Sequence, residues 1–289
     1  MSHITAIVSL YHPSATHADH AALLAAQADR LILCDNSPDS HEALFSFLGD
    51  KAHYLPNRQN LGLSAAFNRV LKDERFAWQD DDFVIFFDQD SVVPEGHIEK
   101  LVDTYNRLAA QGHDLGCLGP VYFNTSNQRE EVPIQKEMID GENMQVSSII
   151  TTSMLCKYGA LKQIGFWNEE VFLDMADWDV CWRFTAAGKE IILSYVSVLR
   201  HSVGEGKKKV GPIELRVGRP FREYYQTRDC LYLLKKKYVP FKFKARFVAM
   251  VTVRPILHVL FLEEKKQRLH YMLKGIHDYK KGFRGALRE

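Results

Sequence analysis

Two clusters of carboxylates carry the chemical potential of this sequence. The first closes a short apolar run, Phe83-Val84-Ile85-Phe86-Phe87, with Asp88-Gln89-Asp90-Ser91. The aromatic and β-branched residues of the run predict a buried strand. Acids at i and i+2 of such a strand end face the same side and can converge on one site. Their hard oxygens suit Mg²⁺ or Mn²⁺, usually shared with the phosphates of a substrate; a solvated strand end is the plain alternative. The second cluster runs from Asp174 through Asp177 and Asp179 to Arg183. Acids in a first helical turn are favoured by the helix dipole, which accounts for part of it. Asp179 and Arg183, four apart, predict an ion pair. Asp177 shares a face with Val180, Cys181 and Phe184. A carboxylate held against apolar neighbours keeps its proton more tightly and makes a reasonable general base.

These acids need elements to position them, and the first 120 residues alternate strand and helix signals. Strands are expected at Ile4–Leu10, Arg30–Cys34, near Ala52–Leu55, at the Asp88/Asp90 run and at Leu115–Pro120. Helices are expected at His17–Ala28, near Glu42–Leu48, at Leu63–Glu74 and at Glu95–Ala110. Repeated β-α-β units argue for an α/β fold, a mostly parallel central sheet with helices on both faces. Ligands of such sheets bind beyond the carboxyl ends of the strands, where Asp35 and Asp88 both fall. Residues 121–150 read as loops with short antiparallel pieces. Helices follow at Tyr158–Ile164 and Ala176–Ala187, the latter stopped by Gly188, then strands at Ile191–Leu193 and Val196–Leu199. Lys207-Lys208-Lys209 reads as a glycine-flanked loop. After about residue 218 the chain turns to long basic helices with aromatic faces. The domain reading is a main domain over 1–217, in two halves (1–120 and 121–217), and a helical extension over 218–289.

Of 289 residues, 46% are apolar and 25% charged, the balance of a soluble globular protein. The net charge of +1 conceals a division: residues 201–289 hold 22 Lys+Arg against 8 Asp+Glu, and residues 1–200 hold 15 against 28. A basic end on an acidic body predicts an anionic surface as partner. Lys235–Lys237, Phe241, Phe243, Lys244, Arg246 and Phe247 interleave cations with rings. Two apolar runs follow, Phe247–Val253 and Ile256–Leu262, split by Arg254-Pro255 and too short to span a bilayer; with the basic residues around them they fit helices lying in a membrane interface. A packed helical pair or a homodimer contact is the alternative, and no nucleic-acid module is recognisable. Five scattered cysteines without a Cys-x-x-Cys pair fit a reducing compartment, and the N-terminus lacks a signal-peptide pattern.

A set of segments in fixed order gives these residues a common frame: Tyr11-His12-Pro13; Asp35-Asn36-Ser37; Asn60-Leu61-Gly62 to Asn68; Phe87-Asp88-Gln89-Asp90-Ser91; Ile164-Gly165-Phe166; Phe172-Leu173-Asp174 to Arg183; His201; and Arg222 to Arg228. In this order the chain resembles family 2 glycosyltransferases of the GT-A fold, and among them the bacterial rhamnosyltransferase group, toward which the Asp-Gln-Asp-Ser form points. The resemblance implies that Tyr11, Asp35, Asn60, Gly62, Asn68 and Asp88 line the nucleotide and sugar pocket. It implies that Asp88, Asp90 and His201 hold Mg²⁺ or Mn²⁺, and that Asp177 is the catalytic base. Trp178, Asp179, Arg222, Tyr225 and Arg228 would face the acceptor or the diphosphate. Ala176, Asp179 and Val180 depart from the family's usual residues on the acceptor side. The implied activity is inverting transfer of L-rhamnose from dTDP-β-L-rhamnose to a glycan acceptor, expected on a polyprenyl diphosphate carrier at the cytoplasmic face of the plasma membrane, in surface polysaccharide synthesis. The alternatives are another donor, a UDP-hexose or UDP-galactofuranose, and a non-catalytic carbohydrate- or membrane-binding protein.

Overall fold

The computed structural model describes residues 2–125, 128–133, 136–201, 207–210, 213–216 and 218–288, and between 201 and 216 the backbone alone. The strands are β1 (Ile4–Leu10), β2 (Arg30–Asp35), β3 (Ala52–Pro56), β4 (Phe83–Asp88), β5 (Leu115–Asn124), β6 (Arg129–Glu131), β7 (Glu137–Met138), β8 (Asn143–Gln145), β9 (Met154–Lys157), β10 (Glu190–His201), β11 (Lys207–Val210) and β12 (Ile213–Arg216). The helices are α1 (Ala15–Ala25), α2 (Leu63–Leu71), α3 (His97–Ala110), α4 (Tyr158–Gln163), α5 (Ala176–Ala186), α6 (Arg222–Leu234), α7 (Phe241–Phe261) and α8 (Lys265–Lys280).

One mixed sheet organises the molecule, in the order β3-β2-β1-β4-β9-β5-β10-β8-β7, with β6 on β5. Its first four strands are parallel, and Leu10 lies beside Asp35, Asp35 beside Pro56, and Ser9 beside Asp88. The register therefore delivers Tyr11, Asp35 and Asp88 to one edge. Strand β9 enters antiparallel between β4 and β5, with Met154 beside Phe86. That reversal carries the preceding residues 151–153 to the same edge. Side chains of β4 alternate between two cores: Val84 and Phe86 join one with Phe67, Trp167 and Trp182, while Phe83, Ile85 and Phe87 join the other with Leu24 and Leu101. A strand buried on both faces must be apolar throughout, which is why the run before Asp88 is unbroken. Cys230, Leu233, Val239 and Phe247 join the first core, so the C-terminal helices are built onto the sheet. All five cysteines are buried and free.

Several local expectations change. The helix expected near Glu42–Leu48 is two 3₁₀ turns, Glu42–Leu44 and Ser46–Lys51, the second broken at Gly49 with φ +67°. The two strands after Gly188 are one, β10, irregular between Ser194 and Val198. The glycine-flanked lysines form β11, paired antiparallel with β12. Arg254-Pro255 does not divide the late apolar runs: α7 continues through Pro255, held by buried Phe247 and His258 on either side. Among the described residues no helix is long and apolar enough to cross a membrane.

Candidate active site

The Asp-Gln-Asp turn is tied down from three directions. Gln89 closes a reciprocal pair with the end of β1: Tyr11 N–H donates to Gln89 Oε1 at 2.8 Å, and Gln89 Nε2 donates to Tyr11 O at 3.3 Å. Thr152 Oγ1 donates to Asp88 Oδ2. Ser153, held at φ +64°, donates its N–H to Phe86 O at 2.7 Å and fixes the approach of that threonine. An isolated bridge between Val92 and Arg200 brings the end of β10 beside the turn. The backbone of His201 follows directly; its side chain lies outside the described residues. Asp88 is half-buried and Asp90 exposed at the crevice mouth.

Asp35 is fully buried, and its acceptor positions are taken from within. Oδ1 accepts from Ser37 N and Oγ, and Oδ2 accepts from Tyr54 OH and pairs with His41 Nδ1 at 2.9 Å. Burial alone would raise its proton affinity; the bonds from Ser37, Tyr54 and His41 outweigh that and hold the carboxyl below the usual range. Asp35 therefore fixes His41 and Tyr54 at the end of β2. Asn60 Oδ1 accepts from Gly62 N at 3.0 Å. Gly62 is obligatory: its φ is +81°, and a Cβ there would lie 2.6 Å from both the carbonyl and the ring of Phe172. Asn68 is buried, with Nδ2 on Trp167 O and Glu169 and Oδ1 accepting Trp167 N, and so fastens α2 to the 165–169 turn.

Helix α5 begins at a tight corner, with Met175 at φ +69°, and presents Asp177 in its first turn. Asp177 Oδ1 accepts Trp178 N–H at 2.8 Å. Burial pushes its pKa up to about 7; the Trp178 N–H offsets part of the rise, and the nearby Asp174 and Asp88 carboxylates add to it. The Asp88 carboxylate of β4 is thus among the charges that bear on Asp177 of α5. Asp174 is engaged by Arg222 and by Gln226 Nε2 at 2.9 Å, which seats α6 beside the crevice.

The acceptor-side residues are largely redirected. Asp179 is fully buried and bonded to Arg183, Asn168 and Tyr238, which confirms the ion pair. Arg228 is also fully buried: it pairs with Asp229 at 2.8 Å and donates to Gly285 O at 2.6 Å. Tyr225 stacks on Phe172 at 4.4 Å, and its hydroxyl accepts Leu287 N–H. The end of the chain folds over that face of α6. Trp178 packs against Trp182 and Phe243 with Arg246 over its ring, mostly as core. Of this set Arg222 alone remains at the crevice. Thr152 is the residue that sequence reasoning passed over; the signal was a polar Thr-Thr-Ser step immediately before the apolar Met154-Leu155-Cys156.

Among the described residues no three His, Cys, Asp or Glu side chains converge as a metal cage. Asp88 and Asp90 nevertheless suit a hard cation: both offer oxygen, and two carboxylates are the protein share expected when substrate phosphates complete the shell.

The sheet is mixed, its first four strands parallel, and Asp35 and Asp88 lie at the carboxyl edge of that parallel half. The chain belongs to glycosyl transferase family 2, whose sequence model matches residues 21–165. It is 26% identical over 243 residues to the dTDP-rhamnosyl transferase RfbF of Shigella flexneri, covering 82% of this chain and 80% of that one. Among solved structures it is similar to GalNAc-T7, crystallised with UDP, GalNAc and Mn²⁺, with a TM-score of 0.55 and 11% identity. That likeness covers 97% of this chain but 58% of GalNAc-T7, and it establishes the GT-A-like fold.

Proposed function

We propose that the chain is an inverting glycosyltransferase that moves L-rhamnose from dTDP-β-L-rhamnose to a hydroxyl of a lipid-linked glycan at the inner face of the membrane. The observation that carries the reading is Asp177, whose proton affinity is raised by burial and by carboxylates that include Asp88. A base with a pKa near neutrality is both strong and substantially ionised. Ionised Asp177 takes the proton of the acceptor hydroxyl as its oxygen attacks the anomeric carbon. The new C–O bond forms on the face opposite the departing nucleotide, and the electron pair of the breaking bond leaves on the diphosphate. A single displacement converts the β-linked donor into an α-L-rhamnoside. Asp88 and Asp90, with His201, would hold a divalent cation, which when bound neutralises charge on the diphosphate. Thr152 keeps Asp88 oriented, and Gln89 keeps Tyr11 at the nucleotide mouth. The rhamnose assignment is supported by the name of the Shigella relative and by the Asp-Gln-Asp-Ser turn.

The test is a panel of sugar nucleotides with purified protein, read by thermal shift and donor turnover with Mg²⁺, Mn²⁺ or EDTA. Preferential stabilisation and metal-dependent turnover of dTDP-rhamnose are expected. Preference for a UDP-hexose or UDP-galactofuranose would reassign the donor, and nucleotide binding without turnover of any donor would overturn an enzymatic role.

A further inference from the structure

Helix α7 has two unlike faces. Its inner face carries Phe243 and Phe247, packed on Trp178 and Trp182 of α5. Its outer face is uncovered by any described residue: Phe241 is 85% exposed, Ile256 61%, Leu260 57%, Val253 52% and Val248 48%. At 100° per residue these side chains fall on one stripe about 28 Å long, from Phe241 to Leu260. Ala245 and Ala249 complete it. The polar residues on this arc are Lys242, at its start beside Phe241, and Thr252, whose hydroxyl donates to Val248 O at 2.7 Å. The outer face of α8 continues the apolar character with Leu269 and Leu273, the latter 57% exposed. An apolar surface of this extent marks a docking face.

Charge selects the occupant. Lys242 and Arg246 stand at one end of the stripe, and Lys265, Lys266, Lys280 and Lys281 are exposed on and after α8, against exposed Glu263 and Glu264. The body is oppositely charged, with 15 Lys+Arg against 28 Asp+Glu in residues 1–200. A negatively charged plane therefore attracts this face and repels the rest, and orients the molecule. We infer that the outer face of α7 and α8 is a docking surface for an anionic lipid bilayer, with α7 lying in the interface plane. The packing of Phe243 on Trp178, next to Asp177, then fixes the crevice relative to the bilayer. This last consequence rests on the function proposed above; the docking itself does not.

The experiment is co-sedimentation of the full chain with phosphatidylethanolamine/phosphatidylglycerol vesicles, beside vesicles of pure phosphatidylcholine. Binding at least 10-fold stronger to the anionic vesicles at low salt is expected, falling with added salt. Ile256→Glu with Leu260→Glu should lower it at least 10-fold with the circular dichroism spectrum and donor-induced thermal shift retained. A Phe241→Trp reporter, which leaves the stripe apolar, should shift its emission to the blue on contact with anionic vesicles. Absence of both vesicle binding and the blue shift, or binding indifferent to the double substitution, would overturn the inference. So would a dimer by light scattering that the double substitution dissociates while vesicles are ignored. Vesicle binding requires no turnover, so a failed donor panel leaves this result readable, and the reverse holds.

Discussion

At the residue scale the structure hands Asp88 a partner from far along the chain. Thr152 Oγ1 on Asp88 Oδ2 is a support of the kind that tunes metal ligands, where loss commonly costs 10–100-fold in metal affinity. Thr152→Val, which keeps the shape, should raise the metal concentration for half-maximal rate by about 10-fold or more and leave the saturated rate near wild type. An unchanged metal titration would detach Thr152 from the site. His97 provides a second test, of stability. It lies fully buried between Ser153 Oγ at 2.8 Å and Ser197 Oγ at 2.7 Å, and burial pushes its pKa down to about 4. Between pH 6.5 and 4 the unfolded chain then binds a proton that the folded chain refuses. Stability is lost as pH falls through that window, and the loss levels off below it. The total is roughly 3 kcal/mol. Urea midpoints at pH 7 and pH 5 should differ less in His97→Gln than in the wild type. Asp88 and Asp177 were legible because an apolar context makes a carboxylate conspicuous. Thr152 and His97 were not, since their partners lie 64 residues away, and 56 and 100 residues away, respectively.

At the element scale the strands of the parallel half were legible from their apolar runs, and α5 from its acids and Gly188. The antiparallel entry of β9 was not, because strand partners are chosen by long-range packing that no local pattern encodes. Helix α6 shows the same limit in its side chains. Arg222, Tyr225 and Arg228, at i, i+3 and i+6, resemble a phosphate-facing row. The tail at Gly285 and Leu287 covers Tyr225 and Arg228 and makes the Arg228–Asp229 pair an interior one. Asp229 in turn accepts Phe172 N–H at 2.9 Å, and Phe172 O accepts Leu63 N–H at 2.8 Å, so the pair braces the loop around Gly62. Breaking a buried pair leaves an uncompensated charge. Arg228→Met should therefore lower unfolding free energy by roughly 3–5 kcal/mol while KM for the donor, measured well below the melting temperature, stays near wild type. A raised KM with normal stability would return Arg228 to the substrate.

At the scale of the whole molecule, the acidic body gathers acids at the carboxyl edge of a sheet, and in the docking inferred above the basic, apolar end holds that body against a surface. The charge division was plain in the sequence, but the single outer stripe of α7 was not, since Pro255 suggested a break that packing bridges. The central claim is that acids from β4 and α5 act together, with Asp177 as base. It is tested most directly by comparing Asp177→Asn with the wild type for transfer from dTDP-rhamnose and for donor affinity, across pH. The base works ionised, so the wild-type rate should rise with pH through about 7 and level off above it. Asp177→Asn should lose about 10²–10⁴ of the rate, with donor affinity changed less than about 2-fold. Transfer by that variant at near wild-type rate, or a loss of donor binding equal to the loss of rate, would contradict the account.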